Sequence, residues 1–224
     1  MTEMLKAYQN HIVEQSQQIY ELNNPSLASY IQFELEAWME HQSFFNVFLK
    51  EFPPKENEEI TSLMKQMQSH LSDIHKEMFY RVYGEKITPY LTDLKIMFEG
   101  IMKEYHIYFA VHNKEIEPTL ISHWIADNFD AMVQQLEGKD PLLSPEHPEK
   151  IDDIFSRIQT LIHDNLKGKE QTEQFEALQL LKDEYNKAQP NRVCLEALLQ
   201  FMKKHKLIQI ELIKLERLFQ REGI

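Results

Sequence analysis

Apolar residues recur at spacings of three and four along most of the chain, the period of an α-helix. Leu5, Tyr8, Ile12, Ile19 and Leu22 mark a first helix over residues 2–22, with Gln15 filling the missing seam position. Asn23-Asn24-Pro25 stops it, since proline disfavours helix in the residue before it. Ser26 then caps or starts a second helix, residues 26–52, SLASYIQFELEAWMEHQSFFNVFLKEF. Here Tyr30, Phe33, Leu35, Trp38, Phe44, Phe45, Phe48 and Phe52 run round more than one side, which predicts a helix at the centre of a bundle.

Pro53-Pro54 ends that helix, and a third follows over residues 55–83, with Gly84 as its stop. A fourth is predicted over 87–111, carrying Leu94, Phe98, Met102, Tyr105 and Phe109, with Gly100 in its middle. Mid-helix glycine costs roughly 1 kcal/mol against alanine, so close approach of another helix is the expected compensation. Pro118 opens a fifth helix at the favoured first turn, and Gly138 closes it. Residues 139–150 hold Pro141, Pro145 and Pro148 and form the one clear boundary. Helices over 151–166 and 171–188 come next. The last begins at Asn191 or Arg192, and its Leu198, Phe201, His205, Ile208, Leu212, Leu215 and Phe219 make a coiled-coil-like seam. The last two helices are expected to pair as an antiparallel hairpin. The fold class read from this pattern is all-α: a bundle of about eight helices. Residues 1–138 form the main bundle, 139–150 a linker and 151–224 a helical extension.

Composition adds boundaries. In 224 residues there are only 5 Gly, which favours long helices, and 42% hydrophobic residues suffice for a sizeable core. The net charge is −12 with no basic run, so these residues are poorly suited to neutralise a nucleic acid. The bland reading of that acidity is a soluble cytoplasmic surface. Cys194 is the single cysteine, which fits a reducing compartment and excludes a disulfide within one chain. The N-terminal stretch lacks the apolar core of a signal peptide, and no apolar run approaches a membrane span.

Catalytic chemistry finds little support. None of the 10 His has a Glu three residues before it, so the paired carboxylate–histidine ligands of a di-metal bundle are missing. No phosphate-binding glycine loop or nucleophile elbow occurs. Cys194 lies near a predicted helix start, which lowers a thiol pKa, yet a packed small hydrophobe is the plainer role. The expectation is a protein that is not an enzyme and holds no metal or cofactor. What stands out is a surplus of 10 Met and 13 Phe, suited to walls that accept varied apolar ligands. Core filling is the plainer role for any one of them. Tyr30, Gln32, His41, His70, Tyr105 and His106 are polar groups set among them.

The second helix, with its HQSFFNVFLKE end, resembles the helix after the linker in tetracycline-repressor (TetR) family regulators. TEMLKAYQNHIVEQ is similar to the start of that family's connecting helix, and LKIMFEGIMKEYHIYF and PTLISHWIADNFDAMVQQL to its two dimerisation helices. The resemblance covers residues 2–138. It implies the effector-binding and dimerisation region of a transcriptional repressor, TetR C-terminal-domain-like, without the helix-turn-helix head and with an added C-terminal hairpin.

The implied partners are a second copy, a small hydrophobic or amphipathic effector, DNA only through the absent head, and no membrane. The expected ligand-binding residues are Phe33, Trp38, His41, Phe45, Met67, His70, Phe98, Met102 and Tyr105. Gly100, Tyr108, Trp124 and Phe129 are expected at the dimer interface. The alternative is a helical adaptor without a small-molecule ligand, whose C-terminal seam docks a partner helix. His205 in that seam is either pH-sensitive or simply packed.

Overall fold

A computed structural model describes residues 26–51, 58–112, 117–136, 138–143 and 149–223. The predicted first helix lies outside these residues, as do the side chains of Phe44, Phe45, Phe48 and Phe52. The described residues form α-helices and short 3-10 turns, with no strand among them. The chain divides into two compact units, Met1–Glu146 and His147–Ile224.

In the first unit, α1 spans Leu27–Glu51, α2 Glu58–Tyr83, α3 Leu91–His112 and α4 Pro118–Leu136. Ser26 caps α1: its Oγ accepts the backbone N–H of Ser29 at 3.1 Å. Gly84 ends α2 with φ 74°, a left-handed geometry that glycine adopts without a Cβ clash. A 3-10 turn, Glu85–Tyr90, then contains Pro89, and α3 begins at Leu91 rather than at 87 as predicted.

As its all-round apolar character predicts, α1 is central: it packs most extensively on α4 and also meets α2 and α3. Phe79, Phe98 and Phe129, from three different helices, are each 0% exposed. Their rings interlock, Phe79–Phe98 at 5.5 Å and Phe98–Phe129 at 5.7 Å, both near-perpendicular, the geometry aromatic quadrupoles favour. Tyr83 ties α2 to α4 by donating to Asp130 at 2.7 Å. Burial and that hydrogen bond both push the Tyr83 hydroxyl pKa up.

The second unit contains α5 (Ile151–Asn165), α6 (Gly168–Tyr185), α7 (Arg192–Met202), a 3-10 turn (Lys206–Ile208) and α8 (Gln209–Arg221). It has its own core, including Ile158, Leu181, Leu199, Leu212 and Phe219. The predicted continuous last helix is therefore corrected to two helices joined by a turn. Residues 203–206, Lys-Lys-His-Lys, contain no Gly or Pro, so local propensity gave no warning. The break lets Ile208, Leu212, Leu215 and Phe219 turn onto the unit's interior, where α8 packs on α5. Burial of four large apolar side chains outweighs continuity of one helix. Lys203 and Glu216 clasp across the turn at 2.6 Å, and His205 reaches Glu170 at 3.2 Å. The seam proposed to dock a partner helix thus packs largely inside its own unit.

Candidate functional site

The first unit holds charge at its centre. Glu34 lies one helical turn after Tyr30 and one before Trp38, so all three fall on one face of α1. That face turns inward, burying Glu34. Opposite it, α2 presents His75, also buried. Its Nε2 lies 3.3 Å from Glu34 Oε2, and its Nδ1 lies 3.3 Å from Oε1 of Glu99 on α3. One imidazole therefore bridges three helices with a carboxylate on each nitrogen.

Burial alone would lower the His75 pKa, but the two carboxylates, Glu34 foremost, raise it to about 9. At neutral pH the ring is an imidazolium donating both N–H groups. The Glu99 carboxyl is held below its ordinary range: burial opposes this, and the His75 hydrogen bond, its charge, Lys95 and Ser72 overcome it. The imidazolium thus has a carboxyl group on each side. The carboxylates sit on opposite sides of the ring and cannot share one ion. Among the described residues no group of three or more His, Cys, Asp or Glu is placed to hold a metal.

Aromatic rings enclose the cluster. Tyr30 meets the His75 ring edge-to-face at 5.9 Å, and Phe98 meets it at 4.9 Å. One turn further along α1, Trp38 stacks on His106 with centroids 4.7 Å apart and planes 7° from parallel. Burial lowers the His106 pKa, Glu34 acts against this and His75 adds to it, so this ring is neutral at pH 7. Its Nε2 is buried and has no hydrogen-bond partner.

The expected ligand residues separate into two groups. Phe98 and Met102 are core residues. Phe33, Trp38, His41, Met67, His70 and Tyr105 are half-buried, and Tyr105 packs its ring against Phe109. The Phe45 side chain lies outside the described ones. Trp38 and Tyr105 both pack on Phe109, beside the Trp38–His106 stack. Glu34, His75 and Glu99 were missed as site residues. The available signal was a Glu on the aromatic stripe of the second helix, at helical spacing from Tyr30 and Trp38.

On the outside, α3 exposes Ile96, Met97, Ile107 and Tyr108. Ile96 and Ile107 are eleven residues apart, about three turns, and so are Met97 and Tyr108, which places all four along one side of α3. Gly100 is exposed between them, and a Cβ added there would meet nothing within 4 Å. The helix expected to approach Gly100 is therefore not one of this chain's described helices. On α4, Leu120 is 68% and Trp124 65% exposed. Phe129 is corrected: it is buried against Phe79 and Phe98 and has no surface to offer a second copy.

No family model matches the chain, and no solved structure does either. Two relatives from Bacillus subtilis (strain 168) do. The uncharacterized HTH-type transcriptional regulator YuxN is 22% identical over 203 residues, covering 84% of this chain and 70% of its own length. The uncharacterized HTH-type transcriptional regulator YerO is 27% identical over 183 residues, covering 77% of this chain and 61% of its own length. The chain is a distant relative of transcriptional regulators. Neither relative carries the name of an enzyme. No helix among the described residues is long and apolar enough to cross a membrane.

Proposed function

We propose that the first unit is the effector-binding and dimerisation region of a TetR-like transcriptional regulator. A small apolar or amphipathic molecule enters at the Trp38–His106 end of the bundle. Its binding favours one of two conformations by the difference in its affinity for them, and a DNA-binding head outside these 224 residues reads the change. The observation that carries this reading is the retention of Glu34, His75 and His106 among aromatic rings. A scaffold needs no such groups, since well-packed aliphatic residues usually serve stability as well or better than a buried ion pair. The names of the two relatives support the regulatory half of the reading.

The exposed apolar stripe on α3, with Leu120 and Trp124 on α4, is the proposed contact with a second copy. Gly100 lets the partner's helix approach closely. Thermal-shift screening with apolar compounds tests the effector reading. At least one class should raise the melting temperature, and Trp38→Ala should abolish that rise. A screen in which no compound acts would leave the helical-adaptor reading in its place.

A further inference from the structure

We propose that the second unit carries an anion site, built from Arg157, Lys214 and Arg217, for the tetrahedral phosphate group of a small molecule. The chain's own Glu149 carboxylate is the plug that such a phosphate displaces. The site lies outside the effector region of the first unit and does not depend on that reading.

Arg157 lies on α5, while Lys214 and Arg217 lie three residues apart on α8. Residues at that spacing are neighbours on one side of a helix, and the packing of α8 on α5 brings Arg157 to them. Glu211, one turn before Lys214, is the fixed part of the site. Its side chain is 6% exposed, and its two oxygens accept from Arg157 Nε and Lys214 Nζ, each at 2.9 Å. A guanidinium gripped at Nε presents its other N–H groups in a set direction, because the fork is rigid. Here Arg157 Nη2 donates to Glu149 at 2.8 Å. The Lys214 side chain is 3% exposed, and a charge so far from water needs anionic company.

Glu149 differs from Glu211 in each respect. It precedes α5, outside any helix, and its side chain is 33% exposed. All three cations converge on its carboxylate, but Arg157 alone meets it at hydrogen-bond length. Lys214 Nζ stands 3.6 Å from Oε1, and Arg217 Nη2 stands 3.8 Å from Oε2. A planar group with two oxygens is thus divided among three donors. A phosphate brings three acceptor oxygens in a tetrahedral fan and more negative charge, so each cation can have an oxygen of its own. Arg157 is 42% exposed, which gives the anion a way in from solvent. Glu149 can leave for water at little cost, while buried Glu211 stays and keeps Arg157 and Lys214 aimed.

Calorimetric titration of the full chain at pH 7.5 and constant ionic strength tests the site, with inorganic phosphate, glycerol 3-phosphate and acetate as probes. Phosphate should bind about tenfold tighter than acetate, the worth of one charge-assisted hydrogen bond. Glu149→Ala removes the internal competitor and should tighten phosphate by about tenfold, whereas Arg217→Gln should weaken it by about as much. Glycerol 3-phosphate binding tighter than inorganic phosphate would assign the site to a phosphate monoester, and equal or weaker binding to the free ion. Acetate binding as well as phosphate, or no gain in affinity in Glu149→Ala, would overturn the site and leave a plain structural clasp. If Glu149→Ala does not fold in chloride, phosphate at the same ionic strength should restore its circular dichroism. Failure of that rescue would equally overturn the proposal.

Discussion

His75 shows what a bundle interior does to a titratable ring. Because its pKa in the folded state, about 9, lies above the ordinary 6.5, its contribution to stability is complete below about pH 6.5. It is lost as pH rises through about 9, and amounts to about 3 kcal/mol at most. Melting curves at pH 6, 8 and 10 should show the first unit weakening as the solution becomes alkaline, and His75→Gln should flatten that trend. His75→Leu strands two carboxylates and should cost about 3–5 kcal/mol. Adding Glu34→Leu should return part of it in a double-mutant cycle. At this scale the sequence was half legible. The aromatic residues announced a ring-lined interior. The charged trio did not, because it joins positions 34, 75 and 99 from three helices, and no local spacing encodes such a meeting.

Helix by helix, the sequence was far more readable. Ser26 before α1, Gly84 after α2 and Pro118 at the start of α4 mark their boundaries by backbone chemistry that acts within a few residues. The break between α7 and α8 has no such marker, since its cause is the burial of Ile208 to Phe219 on distant helices. Asn191 caps α7 through its side-chain oxygen, which accepts the Cys194 N–H at 3.2 Å. Asn191→Ala should cost about 1 kcal/mol, read from urea unfolding of the second unit, whereas Asn191→Asp should cost little. Gly100→Ala separates two surroundings of α3. On an open helix face alanine should add up to about 1 kcal/mol of stability. Where a second copy packs on it, the same change should weaken the dimer.

For the whole molecule, the two units have separate interiors. Residues 147–224 produced alone should therefore give a cooperative thermal transition of their own, with Leu212→Ala lowering it by about 2–5 kcal/mol. Light scattering of the full chain at micromolar concentration should give the mass of a dimer. Trp124→Glu with Leu120→Glu should return a monomer whose helical content is unchanged, because both side chains already face solvent within one copy.

Asp93, six residues before Glu99 on α3, accepts the backbone N–H groups of Leu142 and Leu143 at 2.9 and 3.2 Å. The Tyr90 hydroxyl, at the foot of the same helix, donates to the Lys139 carbonyl at 2.7 Å. The helix that carries Glu99 is thus also moored to residues 139–143. Any tilt of this rod would tug on residues 139–143 as a tiller line does, giving the helix a mechanical outlet through main-chain atoms. Asp93→Asn keeps the shape and slackens the line.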